Sequence, residues 1–162
     1  TYPVDIINIV NELPVHPKEK YRTRKLTDIK RIVVHHSATG SNATPRAFAS
    51  YHVDNNKWPG IGYHYVVSRD GVIYKTNNDS TVSWHAGPTA NRDSIGICMV
   101  GTFDNSKPPA AQWQAAIDLI RHLMKAYSVP AEGVIGHCEV PKVAKSCPGR
   151  AIDLKELRQL VR

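Results

Sequence analysis

Apolar and polar positions fall along this chain in blocks of different period. RIVVHHSA, residues 31–38, is a β-branched run that reads as a buried strand ending on His35 and His36. Thr44 before Pro45 starts a helix expected to reach Asn55, with the hydroxyl as N-cap and proline at the first helical position. In GYHYVVSRDGVIYKT, residues 62–76, two β-rich runs flank Arg69-Asp70-Gly71, which suits a tight hairpin turn. A polar loop with WHAG at 84–87 follows, then SIGICMVG at 94–101, a continuous apolar run expected in the middle of a sheet. Trp113, Ala116, Ile117, Ile120, Met124 and Tyr127 recur at three- and four-residue steps, so a long helix lies between Pro109 and Ser128 with an apolar face for the sheet. GVIG at 133–136 is a short strand, and Asp153 with Glu156 opens a last helix through Leu160.

These elements make the fold class α/β: a single domain with a central mixed β-sheet flanked by helices, since strands and helices are interspersed and one strand pair is a hairpin. Residues 1–30 are expected to form an N-terminal appendage packing on a main domain of residues 31–162. Within the appendage, VDIINIVNEL at 4–13 reads as a short helix, and Pro14 and Pro17 punctuate a basic connector that reads as a solvated linker through KEKYRTRK at 18–25.

With 162 residues the chain can bury a core without disulfides, and its apolar runs fall short of the roughly 20 residues of a membrane span. Membrane insertion is not expected, and no charged segment followed by an apolar one marks a signal peptide. Lys and Arg number 21 against 14 Asp and Glu, a formal charge of +7 that favours a polyanionic surrounding. Of three cysteines at least one stays outside any intramolecular disulfide, so the fold does not rest on a disulfide framework.

His35 ends one expected strand, His137 follows another, and Cys147 lies in the loop beyond, so these groups sit where chain leaves a rigid sheet. Two imidazoles and a thiolate suit zinc, and three protein ligands leave the open position of a catalytic site. A closed structural site would need His36 or Cys138 as a fourth ligand. Neighbours in extended chain point to opposite sides, which argues against both members of either pair reaching one ion. The residues by themselves do not say which member of each pair faces the site.

VVHHSAT, GIGYHYVVSRDGVIY, WHAG, NRDSIGICMVGTFD, and GHCEV followed by KSCPG resemble, in that order, blocks of the zinc-dependent N-acetylmuramoyl-L-alanine amidases. That family contains the amidase-type phage lysozymes and the peptidoglycan recognition proteins. The resemblance covers roughly residues 30–160. It implies the amidase and recognition-protein fold, one zinc ion on His35, His137 and Cys147, catalytic roles for Tyr63 and Lys145, and substrate contacts from His85 and Trp84. Where some members carry a glutamate in the SIGI block, this chain has Cys98. A buried thiol packs as a small apolar residue, which moves proton handling toward Tyr63, Lys145 or the metal-bound hydroxide itself.

The implied activity is hydrolysis, by zinc-activated water, of the amide between N-acetylmuramic acid and L-alanine. The implied partner is bacterial cell-wall peptidoglycan, reached by secretion or phage lysis, with the chain acting as a monomer. The alternative is a non-catalytic peptidoglycan-binding module; recognition proteins of that kind lack the cysteine, so Cys147 favours catalysis. A basic nucleic-acid binder would need paired cysteine spacings or an aromatic-basic motif, and the chain has neither.

Overall fold

A computed structural model describes residues 4–141, 143 and 145–162, so the first three positions of the expected N-terminal segment lie outside it. Eight strands occur among the described residues: β1 (Ile6–Asn8), β2 (Arg22–Thr23), β3 (Arg31–His36), β4 (Tyr65–Val67), β5 (Ile73–Lys75), β6 (Thr81–Val82), β7 (Ser94–Met99) and β8 (Val134–Gly136). Four α-helices accompany them: α1 (Pro45–Asp54), α2 (Pro88–Asp93), α3 (Ala110–Tyr127) and α4 (Leu154–Leu160). Six strands form one sheet in the order β1-β5-β4-β7-β3-β8, and β2 pairs antiparallel with β6 in a separate two-stranded ribbon.

The sheet is mixed, because β5 runs antiparallel to β4 while the β4–β7, β7–β3 and β3–β8 pairs are parallel. The expected hairpin is there: Gly71 closes it at φ +86°, a left-handed conformation that glycine adopts without a Cβ penalty. β7 lies in the middle, between β4 and β3, and is buried along its whole length. Continuous apolar runs in β3 and β7 follow from this, since both of their faces are covered.

Side-chain alternation divides the core. Ile32 and Val34 of β3, with Ile95, Ile97 and Met99 of β7, pack against Ile117, Ile120 and Leu123 of α3 and Leu157 of α4. On the opposite face there are two smaller clusters. Phe48 and Ala49 of α1 lie with Val66 and Cys98, while Ala90 of α2 lies with Val33, Ala86 and Val140. His35, one alternation beyond Val33, emerges on this second face.

The helix signals are realised at their caps. Thr44 Oγ1 accepts from Ala47 N–H at 3.2 Å, and Asp153 Oδ1 accepts from Glu156 N–H at 3.1 Å. The first thirty residues correct two expectations. Instead of a helix over 4–13, Ile6–Asn8 form the sheet's edge strand, parallel to β5, followed by a single 3-10 turn at Val10–Glu12. Five of the ten residues at 4–13 are β-branched Val or Ile, which disfavours a helix and suits pairing at the sheet edge beside β5. The basic stretch is likewise no free linker: it holds β2, and the Tyr21 hydroxyl donates to Gly60 O at 2.7 Å.

Candidate metal centre

Parallel pairing places two of the candidate ligands together. β3 and β8 are neighbours in register Val34↔Gly136, so the residues that follow this pair, His35 and His137, emerge side by side at the carboxyl ends of both strands. Crevices at the carboxyl ends of strands are the usual ligand sites of α/β sheets. The two rings lie 4.5 Å apart between centroids. Cys147 arrives from the loop after β8, pinned where Cys138 N–H donates to Cys147 O at 2.7 Å.

One ligand atom each from His35, His137 and Cys147 lies within 4.8 Å of the other two, and Cys147 Sγ is 3.7 Å from His35 Nδ1. Among the described residues no fourth histidine, cysteine or carboxylate joins the group. His36 does not, because its ring turns to the other side of β3, where Nδ1 accepts from Phe103 N–H at 3.1 Å. Two imidazoles, one thiol and an open side fit a three-ligand zinc site.

The electrostatics suit metal binding. Burial first, then the neighbouring cation Lys145, pushes His137 down to about 4, and burial with His137 and His36 nearby holds His35 well below the ordinary histidine range. Both imidazoles are therefore neutral near pH 7, as ligands must be. Burial pushes the Cys147 thiol up to about 11, against the His36 N–H that donates to Sγ at 3.3 Å, so a metal ion would have to displace its proton.

These residues floor a cleft of about 1030 Å³. Tyr63, Trp58, Trp84, Lys145 and Asp104 line it as well. The Tyr63 ring sits 5.3 Å from that of His35. Burial, with Cys98 and Cys147 adjacent, holds its phenol well above the ordinary range, so it stays a neutral donor. Lys145 is exposed at the rim.

Trp84 stands at the rim, 43% exposed, edge-on to Tyr21 and Trp58. His85, expected at the substrate, is only 8% exposed and directs both ring nitrogens inward, to His35 and to Ser94. The buried His64 has its ring 5.7 Å from that of His85. Its ring is held structurally: His64 Nδ1 accepts from Gly96 N–H at 3.0 Å and Nε2 donates to Thr81 O at 2.7 Å. Cys98 is fully buried among apolar side chains.

Sequence reasoning did not pick out Trp58, Asn91 or Ser94. Trp58 had a signal in the turn-forming KWPG, an aromatic on a loop beside the site. Asn91 and Ser94 had none, because their role exists only through contacts with His85.

A family profile described as N-acetylmuramoyl-L-alanine amidase matches residues 25–150. The endolysin of Escherichia phage T7 is 31% identical over 139 residues, which cover 84% of this chain and 88% of that protein. A peptidoglycan-recognition protein of Drosophila simulans is 31% identical over 155 residues, covering 91% of this chain and 81% of its own length. In three dimensions the Ph2119 endolysin from a Thermus scotoductus bacteriophage superposes with a TM-score of 0.80 at 29% identity, over 97% of this chain and 99% of the other. Sequence profile, relatives and sheet topology converge, and the chain belongs to the N-acetylmuramoyl-L-alanine amidase family.

Proposed function

We propose that this protein is a zinc-dependent peptidoglycan hydrolase that cleaves the amide between N-acetylmuramic acid and L-alanine. The observation that carries the reading is the convergence of His35, His137 and Cys147, ligand atoms within 4.8 Å, on the floor of an open cleft. The family match and the likeness to endolysins support the substrate class.

His35 Nδ1, His137 and Cys147 Sγ would hold the ion. Zinc bound there supplies Lewis-acid polarisation of a carbonyl and acidification of water at neutral pH. The chain's own groups do the rest. Trp58 and Trp84 form an aromatic wall suited to a sugar face or the stem backbone, and orient the scissile carbonyl over the floor. Lys145 at the rim and the neutral Tyr63 phenol then face the carbonyl oxygen as negative charge develops on it, and a donor fixed at that position stabilises the transition state more than the ground state. One water is consumed, the amide carbon–nitrogen bond breaks, and the alanine nitrogen leaves with a proton as a free amine. Secretion or phage lysis would bring the enzyme to the cell wall.

The test is digestion of purified peptidoglycan with and without a zinc chelator, with the new ends identified by mass. A free muramoyl lactate beside a free alanine amine, lost with chelator and restored by zinc, is the expected result. Muropeptide binding without any cleavage would overturn the hydrolase reading in favour of a recognition module.

A further inference from the structure

His85 sits behind the ligand trio. Its ring is edge-on to that of His35, with centroids 5.1 Å apart, Nδ1 3.0 Å from His35 Nε2 and Nε2 3.2 Å from Ser94 Oγ. The Ser94 hydroxyl reaches the carbonyl of Ala90 in α2. All of these side chains are buried. The surroundings fix the ring closely. Asn91 Oδ1 accepts from the backbone N–H of His85 at 3.0 Å and of Ala86 at 2.8 Å. Beneath the ring lies Gly96 of β7, where a Cβ would stand 2.7 Å from His85 Cγ and Nδ1, so only glycine lets the imidazole rest against the strand.

The polarity of this row of hydrogen bonds is dictated from its far end. A carbonyl oxygen can only accept, so the Ser94 hydroxyl proton points at Ala90. Ser94 Oγ then has lone pairs alone to offer His85, and the proton of His85 must sit on Nε2. A neutral imidazole carries one ring proton, which makes His85 Nδ1 an acceptor and His35 Nε2 a donor. His35 is left with its lone pair on Nδ1, the atom that faces Cys147 Sγ.

We propose that His85 and Ser94 are positioning residues: through them the Ala90 carbonyl sets the His35 tautomer, presenting Nδ1 as a ready zinc ligand before the metal arrives. The consequence for turnover rests on the amidase reading above, while the tautomers and the zinc affinity do not. Outer hydrogen-bond partners of ligating histidines are worth about 10- to 100-fold in metal affinity.

Long-range proton–nitrogen NMR on the full chain with labelled histidines tests the polarity directly, with and without zinc. His85 and His35 should both be protonated on Nε2; a His85 proton on Nδ1 overturns the proposal and needs no variant. Zinc affinity, from competition with a chromophoric chelator, should fall about 10- to 100-fold in Ser94→Ala and recover in Ser94→Thr, which keeps the hydroxyl. A folded Ser94→Ala chain that binds zinc like the parent also overturns it. Cleavage of muropeptides by a chain with the reversed tautomer would refute the relay alone. The assigned tautomers and weakened zinc binding in a chain that leaves muropeptides intact would uphold the relay and refute the hydrolase.

Discussion

Cys147 Sγ lies 3.7 Å from His35 Nδ1 across a separation of 112 residues, so the candidate metal centre exists only when the fold does. His35 is set by the buried strand β3, and Cys147 by a loop pinned to the turn after β8. A ligand site assembled from such distant segments links metal binding to folding, and bound zinc should raise the unfolding midpoint by an amount that grows with the logarithm of its affinity.

Cys147→Ala removes the one sulfur of the set. Zinc affinity should fall by more than about 100-fold, beyond what loss of an outer partner costs, and hydrolysis should fall with it. Metal analysis of the purified variant, paired with muropeptide turnover, checks this. Stoichiometric zinc in an active variant would show that the sulfur is no ligand.

Lys145→Ala should separate the two functions. The side chain is exposed at the cleft rim and belongs to no ligand group, so zinc affinity should stay within a few-fold of the parent. Turnover should drop by roughly 100- to 1000-fold, the usual loss for a donor aimed at a developing oxyanion. Lys145→Arg keeps the charge and should retain more of the rate. Equal turnover by Lys145→Ala and the parent would remove the oxyanion role.

Burial holds His64 down to about 4 from an ordinary value of 6.5. Folded, this group binds fewer protons than unfolded, so its contribution to stability is complete above about pH 6.5 and is lost as pH falls toward about 4. The loss amounts to at most about 3 kcal/mol, and its structural cause is plain: protonating Nδ1 opposes the Gly96 N–H that donates to it. Urea unfolding across this range should show a shallower pH dependence for His64→Gln than for the parent. Parallel slopes would assign the acid sensitivity to other groups, His52 among them.

Much of the scaffold was legible because its signals are local. Thr44-Pro45 and Asp153 specify their own caps, and the periodicity of α3 reports one buried face. The alternation argument also separated His35 from His36, although the side facing the cleft emerged only once β3 had neighbours. What escaped was non-local. Ile6–Asn8 carry no pattern that distinguishes an edge strand from a short helix until β5 is beside them, and α2 is a six-residue turn of Pro-Thr-Ala-Asn-Arg-Asp with little apolar periodicity. The inward turn of His85 depends on Gly96 and Ser94, whose spacing from it means nothing before the chain folds.

The N-terminal segment reaches the same region through Arg24. Its guanidinium donates to Asn91 O at 3.2 Å and Arg92 O at 3.1 Å near the C-terminal end of α2, and to Asp79 O from Nε and from a terminal nitrogen at 3.1 and 3.0 Å. Late helix carbonyls have no partner within the helix, so this fork caps α2 from the residue that follows β2, more than sixty positions earlier in the chain. Asn91 in turn holds the backbone of His85. Arg24→Ala should cost about 2–3 kcal/mol in urea unfolding, from three carbonyls left short of a donor. Arg24→Lys should recover less than half of that, because a single ammonium cannot span the two sides that the planar fork bridges. Recovery of full stability by lysine would mean that charge, and not the fork, is what the segment supplies.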